Sequence, residues 1–394
     1  TTQRASALVW DRVSGQPLSP LVVWNDLRGA ARAAELRQAG FFVVAQQAAA
    51  KLEAILAGVE APRERLAWGN IDAWLIWKLT GGAVHATDRS QAWPTGYLNL
   101  PTMGWNGALI AHEGLDESLF PTLVDTWGPI GVTARSVLGA EIPITADIAD
   151  QQSALLAHGG GKGVAKVTYG TSATLNVSTG EAFVFKSPTA PPFVASSVEG
   201  RTRFCLEGMV ISAGTALDWL RRALRLGGHA RFEALAASVP DAAGAAFLPA
   251  LQGLGAPHGD AERRGGLGGL SPSVATAHLA RAAFEGVAFR VREVAEHLEG
   301  LTPFAPEVLG VDGGLSASRA FLQVQADLLG RPIRRHATPE ATACGAAIGA
   351  GLGAGLLTET DARSFIRYED PVTPRIGGDE AAARFAAWRR LVYG

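Results

Sequence analysis

The chain has 394 residues and is 47% hydrophobic, which is enough for two domains with cores of ordinary size. Its formal net charge of -2 leaves no basic excess to neutralise a phosphate backbone, which argues against nucleic acid as a partner. Two cysteines, Cys205 and Cys344, are too few and too far apart for a zinc knuckle or a disulfide framework, and read as reduced thiols of a cytoplasmic protein.

The first segment, Thr1-Thr2-Gln3-Arg4, runs directly into the strand-like Ala7-Leu8-Val9-Trp10, so the chain is expected to begin inside a fold, without a signal peptide. Apolar runs at 5–10 and 20–24, joined by a turn through Ser14-Gly15, predict a hairpin. Helices are expected over Leu27–Gln38, Lys51–Leu56 and Asn70–Leu79, the last closed by Gly81-Gly82. Trp74 and Trp77, three apart on that helix, read as core packing rather than ligand stacking. Residues 85–140 are loop-rich, and Ile142-Pro143-Ile144 is a strand that leads to the polar turn Asp150-Gln151-Gln152 and a small-residue helix. The glycines at 159–161 set the expected domain boundary.

Two alternating runs, 164–169 and 173–178, flank the tip Gly170-Thr171-Ser172 and predict a second hairpin. Further strands are expected at 204–206 and 209–211, followed by a helix over 215–224 that begins after Gly214. A long amphipathic helix spans 277–298. The apolar strand 308–311 turns through Asp312-Gly313-Gly314 into a helix over 318–329, and a strand at 332–334 follows. Ala343–Leu357 is the longest apolar stretch, but it is shorter than the ~20 residues of a membrane span and reads as a buried helix. A C-terminal helix over 380–391 carries Ala381, Phe385 and Trp388 on one face. Strands alternating with helices in the second half give an α/β layered fold.

Several groups carry chemistry. The Gly-Thr-Ser tip can hold a phosphate, since glycine lets backbone N–H groups approach an anion, or it is a plain turn. The strand ending in Gly313-Gly314 before a helix is a place where nucleotides bind, or a tight turn without a ligand. Gly214 is a third glycine at a helix start, and the three together suggest a nucleotide along the sheet edge. No Walker loop occurs. Asp150, at a strand end beside the domain boundary, is either a general base for an attacking hydroxyl or a helix cap, and it could also lie near Mg²⁺. Arg4 and Trp24 are candidates for acceptor contact, as a fixed donor and a flat apolar wall.

These segments together resemble the FGGY carbohydrate kinases, the glycerol kinases among them most closely. The segments that carry the likeness are Thr2-Gln3-Arg4, 23–28, 71–88, 149–152, 168–171, 253–257, 311–314, 340–347 and the long run 265–285. The resemblance implies an actin-like (RNase H-like) two-domain α/β ATPase fold with a central cleft. Residues 1–158 would be the acceptor-binding domain, apparently incomplete at its N-terminus, and 159–394 the nucleotide-binding domain. It implies ATP and Mg²⁺, a small polyol or sugar acceptor, no membrane, and a homodimer or homotetramer. Asp150 would be the catalytic base and a metal contact. Arg4, Trp24, Gln46 and Gln151 would face the acceptor. Gly170, Thr171, Gly214, Asp218, Gly313, Gly314 and Ser318 would border the nucleotide. Ala5 stands where glycerol kinases carry an acidic residue, and Gln46 where they carry a tyrosine. A changed partner for a substrate hydroxyl alters discrimination by orders of magnitude, so the expected acceptor is a polyol or ketose other than glycerol. The family's opening phosphate-binding hairpin has no counterpart in the sequence. The alternatives are glycerol kinase proper and a non-catalytic actin-like nucleotide-binding protein.

Overall fold

The computed structural model describes every residue except Phe304, Ala305 and Glu307. It forms two compact units. The first comprises Thr1–Ala157, Phe193–Phe204 and Thr342–Phe365, and the second His158–Pro192, Cys205–Ala341 and Ile366–Gly394. The first division, after Ala157, falls beside the expected boundary, while two later segments of the chain are counted with the first unit.

In the first unit the strand Leu8–Asp11 pairs antiparallel with Leu66–Gly69, every residue of both being buried. The expected hairpin within 5–24 is present only as single bridges, Ala7 to Val22 and Trp10 to Pro17. A regular ladder goes instead to the more distant strand, whose continuous burial rewards a longer loop closure. Helices run over Ala30–Gln38, Leu52–Leu56 and Ile71–Leu79. Trp77 packs 6.2 Å from Trp10 between ring centroids, and Trp74 joins the same cluster, so both serve the core. Short strands punctuate the loop-rich stretch: Ala86–Asp88 lies parallel to Thr122–Val124, and Trp127–Val132 antiparallel to Pro143–Ala146.

The helix Asp150–Ala157 begins at Asp150 itself, where the sequence reading placed a turn. The Gly/Ala-rich helix Ala341–Gly353 closes against it. Ser153 Oγ donates to the Thr342 carbonyl at 2.6 Å, and a Cβ on Gly345 would stand 1.8 Å from the Ser153 carbonyl oxygen. The small residues of this stretch therefore serve close helix packing. Among the described residues no helix is long and apolar enough to cross a membrane.

In the second unit Ala165–Tyr169 pairs antiparallel with Ala173–Gly180 through the expected tip, and parallel with Leu309–Asp312. That strand pairs parallel with Ile333–Arg335, and Arg201–Val210, whose residues 205–210 belong to this unit, lies on the other side of Ala173–Gly180. The two strands expected at 204–211 are one. Thr276–Leu301 is a 26-residue helix with most of its length buried; it packs with Arg319–Leu329 and with the C-terminal helix Gly378–Tyr393. On the C-terminal helix Ala381, Phe385 and Trp388 are all buried, as their spacing requires. Cys205 is buried and Cys344 half-buried, and neither is in a disulfide.

Candidate active site

In the first unit Asp150 is held by its backbone. Its N–H donates to the Thr2 carbonyl at 3.1 Å, next to a parallel bridge between Thr2 and Ala149. Its Oδ1 accepts from the Gln151 N–H at 2.8 Å. Arg4, two residues past Thr2, reaches the carboxylate with Nε 3.6 Å from Oδ1, and its guanidinium lies 4.6 Å above the Phe193 ring. The carboxylate is about one-third exposed, its arginine partner only 12% exposed. A carboxylate that keeps solvent access while its cation is sheltered is one that a substrate hydroxyl can reach. Phe193 was not legible in the sequence. It lies about 190 residues away, on a strand that gives no local sign of approaching Arg4.

Trp24 and Gln46 are both exposed, on irregular segments either side of the helix Ala30–Gln38. Lys51 is buried, and its Nζ donates to the Val23 carbonyl at 3.0 Å, which anchors the backbone beside Trp24. Burial lowers the Lys51 ammonium to about 8 against the pull of Asp26. Neither Trp24 nor Gln46 makes a hydrogen bond to Arg4 or Asp150 among the described residues.

The same unit holds three buried aspartates, Asp72, Asp88 and Asp147, which sequence reasoning did not single out. Thr87 donates to Asp72 at 2.6 Å, and the Asp88 N–H donates to Asp147 at 2.9 Å. Burial raises Asp72 to about 6 and Asp88 to about 7, Asp88 being pushed further by the neighbouring Asp147 charge. Asp147 is raised well above its ordinary value by burial and by Asp72. Carboxyl groups that hold protons more tightly in the fold than in the unfolded chain stabilise it at low pH, and that contribution is lost as pH rises through about 6 and 7. Asp72→Asn keeps an acceptor for Thr87 and offers an amide to Asp147. The variant is expected to melt a few degrees higher than the parent at pH 8, with a smaller difference at pH 5, since the loss begins near the unfolded carboxyl value and is complete above about 6. Melting curves at the two pH values check this, and parallel shifts would overturn it.

In the second unit the three glycine sites converge. The Gly214 N–H donates to the Gly170 carbonyl at 3.2 Å, and the Ala213 and Thr215 amides donate to Thr171 O at 3.0 and 3.1 Å. The first amides of the helix Gly214–Ala223 are thus committed to the hairpin tip. What Gly214 contributes is space, because a Cβ there would lie 2.5 Å from the Gly170 carbonyl oxygen. Gly313 has φ +84°, and a Cβ on it would stand 2.4 Å from the Tyr169 carbonyl oxygen. Gly170 and Thr171 are exposed, and among the described residues nothing accepts a hydrogen bond from the Thr171 amide or hydroxyl.

Ser318 caps the helix Arg319–Leu329, its hydroxyl accepting from the Phe321 N–H at 3.1 Å, as the sequence allowed. Asp218 pairs with Arg221 at 3.2 Å and His229 at 3.5 Å, on the helix that Gly214 opens. Gly314 begins a short 3₁₀ turn before Ser318. Asp312, just before the glycine pair, accepts from His158 at 2.9 Å, and the other ring nitrogen of His158 lies 2.9 Å from the Tyr368 hydroxyl. Burial raises the Asp312 carboxyl, but His158 and the buried Lys166 outweigh it, and the carboxyl ends below its ordinary value. His158 was missed because its partners lie 154 and 210 positions away.

This cradle fits the phosphate chain of a nucleotide. The tip offers uncommitted donors, and Gly214 and Gly313 remove side chains where backbone segments meet. For Mg²⁺ the fit is narrower. Among the described residues no group of three or more acidic, histidine or cysteine side chains could hold a metal. Asp150 alone suits a magnesium ion that takes one or two carboxylates and otherwise phosphate and water oxygens.

Residues 1–157 match the N-terminal domain, and 165–354 the C-terminal domain, of the FGGY family of carbohydrate kinases. The chain is 41% identical to the glycerol kinase of Thermus brockianus over 406 aligned positions, covering 99% of this chain and 82% of that protein. It is 38% identical to the glycerol kinase of Alkalilimnicola ehrlichii, covering all of this chain and 82% of that one. The crystal structure of Plasmodium falciparum glycerol kinase with ADP superposes with a TM-score of 0.90 at 25% identity, over 99% of this chain and 82% of that one. A gluconate kinase from Lactobacillus acidophilus shares the fold, with a TM-score of 0.85 at 21% identity over 98% and 81% of the two chains. The chain belongs to the FGGY family of carbohydrate kinases, with their actin-like two-domain α/β fold, and is an ATP-dependent polyol or sugar kinase of the glycerol-kinase type.

Proposed function

We propose that the first unit binds the acceptor alcohol and activates it, and that the second binds ATP. The observation that carries this reading is the Asp150 carboxylate, backbone-held at the start of a helix, with Arg4 beside it at 3.6 Å. Asp150 takes the proton of the acceptor hydroxyl as its oxygen bonds to the γ-phosphorus and the bond to ADP breaks. General-base help of this kind contributes ~10²–10⁴-fold. Arg4 pairs with the carboxylate and, with Gln151, orients acceptor hydroxyls. Trp24 supplies a flat wall for the carbon skeleton, and Gln46 selects among acceptors. Gly170, Thr171, Gly313 and Gly314 border the phosphates, while Gly214, Asp218 and Ser318 shape the rest of the nucleotide site. Asp150 would also hold Mg²⁺, which when bound neutralises charge on the phosphates.

The acceptor we favour is a polyol or ketose other than glycerol, because Ala5 and Gln46 present no carboxylate and no phenol. The protein acts in the cytoplasm, as a homodimer or homotetramer. Coupled ADP release from the full-length protein against a panel of polyols and ketoses, glycerol included, tests the reading. One strong non-glycerol substrate is the expected result. Preference for glycerol would overturn the selection assigned to Ala5 and Gln46.

A further inference from the structure

The segments that carry Arg4 and Asp150 are both docked on one buried turn. Ser90 Oγ accepts the Ala149 N–H at 2.9 Å. Gln91 Nε2 donates to the Thr2 carbonyl at 3.1 Å and to the Thr2 hydroxyl at 3.0 Å. That same carbonyl takes the Asp150 N–H at 3.1 Å. Consecutive side chains on the short helix Arg89–Ala92 therefore fix two consecutive amides, the second through Thr2.

Asp88 caps this helix and secures both residues. Its Oδ1 accepts the Ser90 hydroxyl at 2.8 Å and the Gln91 N–H at 2.9 Å, and its Oδ2 accepts the Thr126 hydroxyl at 2.8 Å. Asn70 donates to the Gln91 carbonyl at 2.9 Å. Ser90, Gln91 and Asp88 are buried, with 1% exposure or less, so none can touch the acceptor. Their hydrogen bonds converge on the backbone that aims the base.

We infer that Ser90 and Gln91 are positioning residues for phosphoryl transfer, setting Asp150 and its partner Arg4 through the amides of 149–150 and the carbonyl of Thr2. This rests on the reading of Asp150 as the base. A displacement of about 1 Å at a reacting group costs on the order of 10²-fold in rate, so a turn that holds both groups has leverage on kcat out of proportion to its size.

The test is a double-mutant cycle with Ser90→Ala and Asp150→Asn, reading kcat and KM for ATP and acceptor. Ser90→Ala alone is expected to lower kcat by ~10-fold or more with KM for ATP unchanged. In the Asp150→Asn background it should cost less than about twofold, because coupled residues are non-additive. An equal loss in both backgrounds would make the role of Ser90 merely structural and overturn the inference. Unchanged kcat in Ser90→Ala would overturn it as well. If Ser90→Ala does not fold, Gln91→Met removes the donor to Thr2 at similar length and enters the same cycle with the same expectations. Failure of the underlying reading shows separately, as normal turnover in Asp150→Asn alone.

Discussion

Asp150→Asn is expected to lower turnover by at least ~10²-fold while ATP affinity stays within about twofold. Asparagine preserves the size of the side chain and can still accept the Gln151 N–H, so the start of the helix Asp150–Ala157 is not disturbed. What it loses is the capacity to take a proton and the charge that pairs with Arg4. The pair is partly exposed, and screening keeps its contribution to stability small. The melting temperature of the variant should therefore stay close to the parent's. Coupled ADP release gives turnover, and calorimetry with ATP gives affinity. Normal turnover would place the base elsewhere. A large drop in melting temperature would make Asp150 structural.

Gly313→Ala is expected to cost both stability and nucleotide binding. Gly313 adopts φ +84° with ψ 173°, a region that only glycine enters without strain, and an alanine there costs about 1–3 kcal/mol. The added Cβ would also meet three Tyr169 backbone atoms, its O, C and N, at 2.4, 2.8 and 2.9 Å. Those atoms belong to the central strand Ala165–Tyr169 and cannot yield as a flexible side chain would. The melting transition of the second unit should fall by several degrees, at about 2–4 °C per kcal/mol for a unit of this size. ATP affinity should fall at least ~10-fold, because the strand end and the tip at 170–171 can no longer keep their spacing. A stability loss without a change in ATP affinity would leave Gly313 a packing residue and remove it from the nucleotide site.

Much of the second unit was legible because its signals are local. A strand that ends in two glycines before a helix, a Gly-Thr-Ser tip between alternating runs, and a long amphipathic helix all announce themselves within about 20 residues. Ser318 as a helix cap belongs to this class. Where local reading failed, a tertiary contact had outbid the neighbour in sequence. The strand Leu8–Asp11 pairs across to Leu66–Gly69 rather than folding back regularly on 20–24. Nothing near Gly214 in the sequence shows that the hairpin tip, over 40 residues earlier, takes the first amides of its helix.

By itself the sequence determined the alternation of elements and the two-domain organisation, and it singled out the candidate residues Asp150, Gly170, Thr171, Gly313 and Gly314. These depend on backbone freedom, periodicity and side-chain chemistry, which each residue carries with it. Only the tertiary structure decided what surrounds them: Phe193 under Arg4, His158 on Asp312, and the turn of Asp88, Ser90 and Gln91 beneath Asp150. Buried polar groups must find partners wherever the fold brings them, because a lone buried donor or acceptor costs about 1–3 kcal/mol while doubling the length of a loop costs only about 0.6 kcal/mol more. Such partners lie tens to hundreds of positions apart, and no local pattern records them.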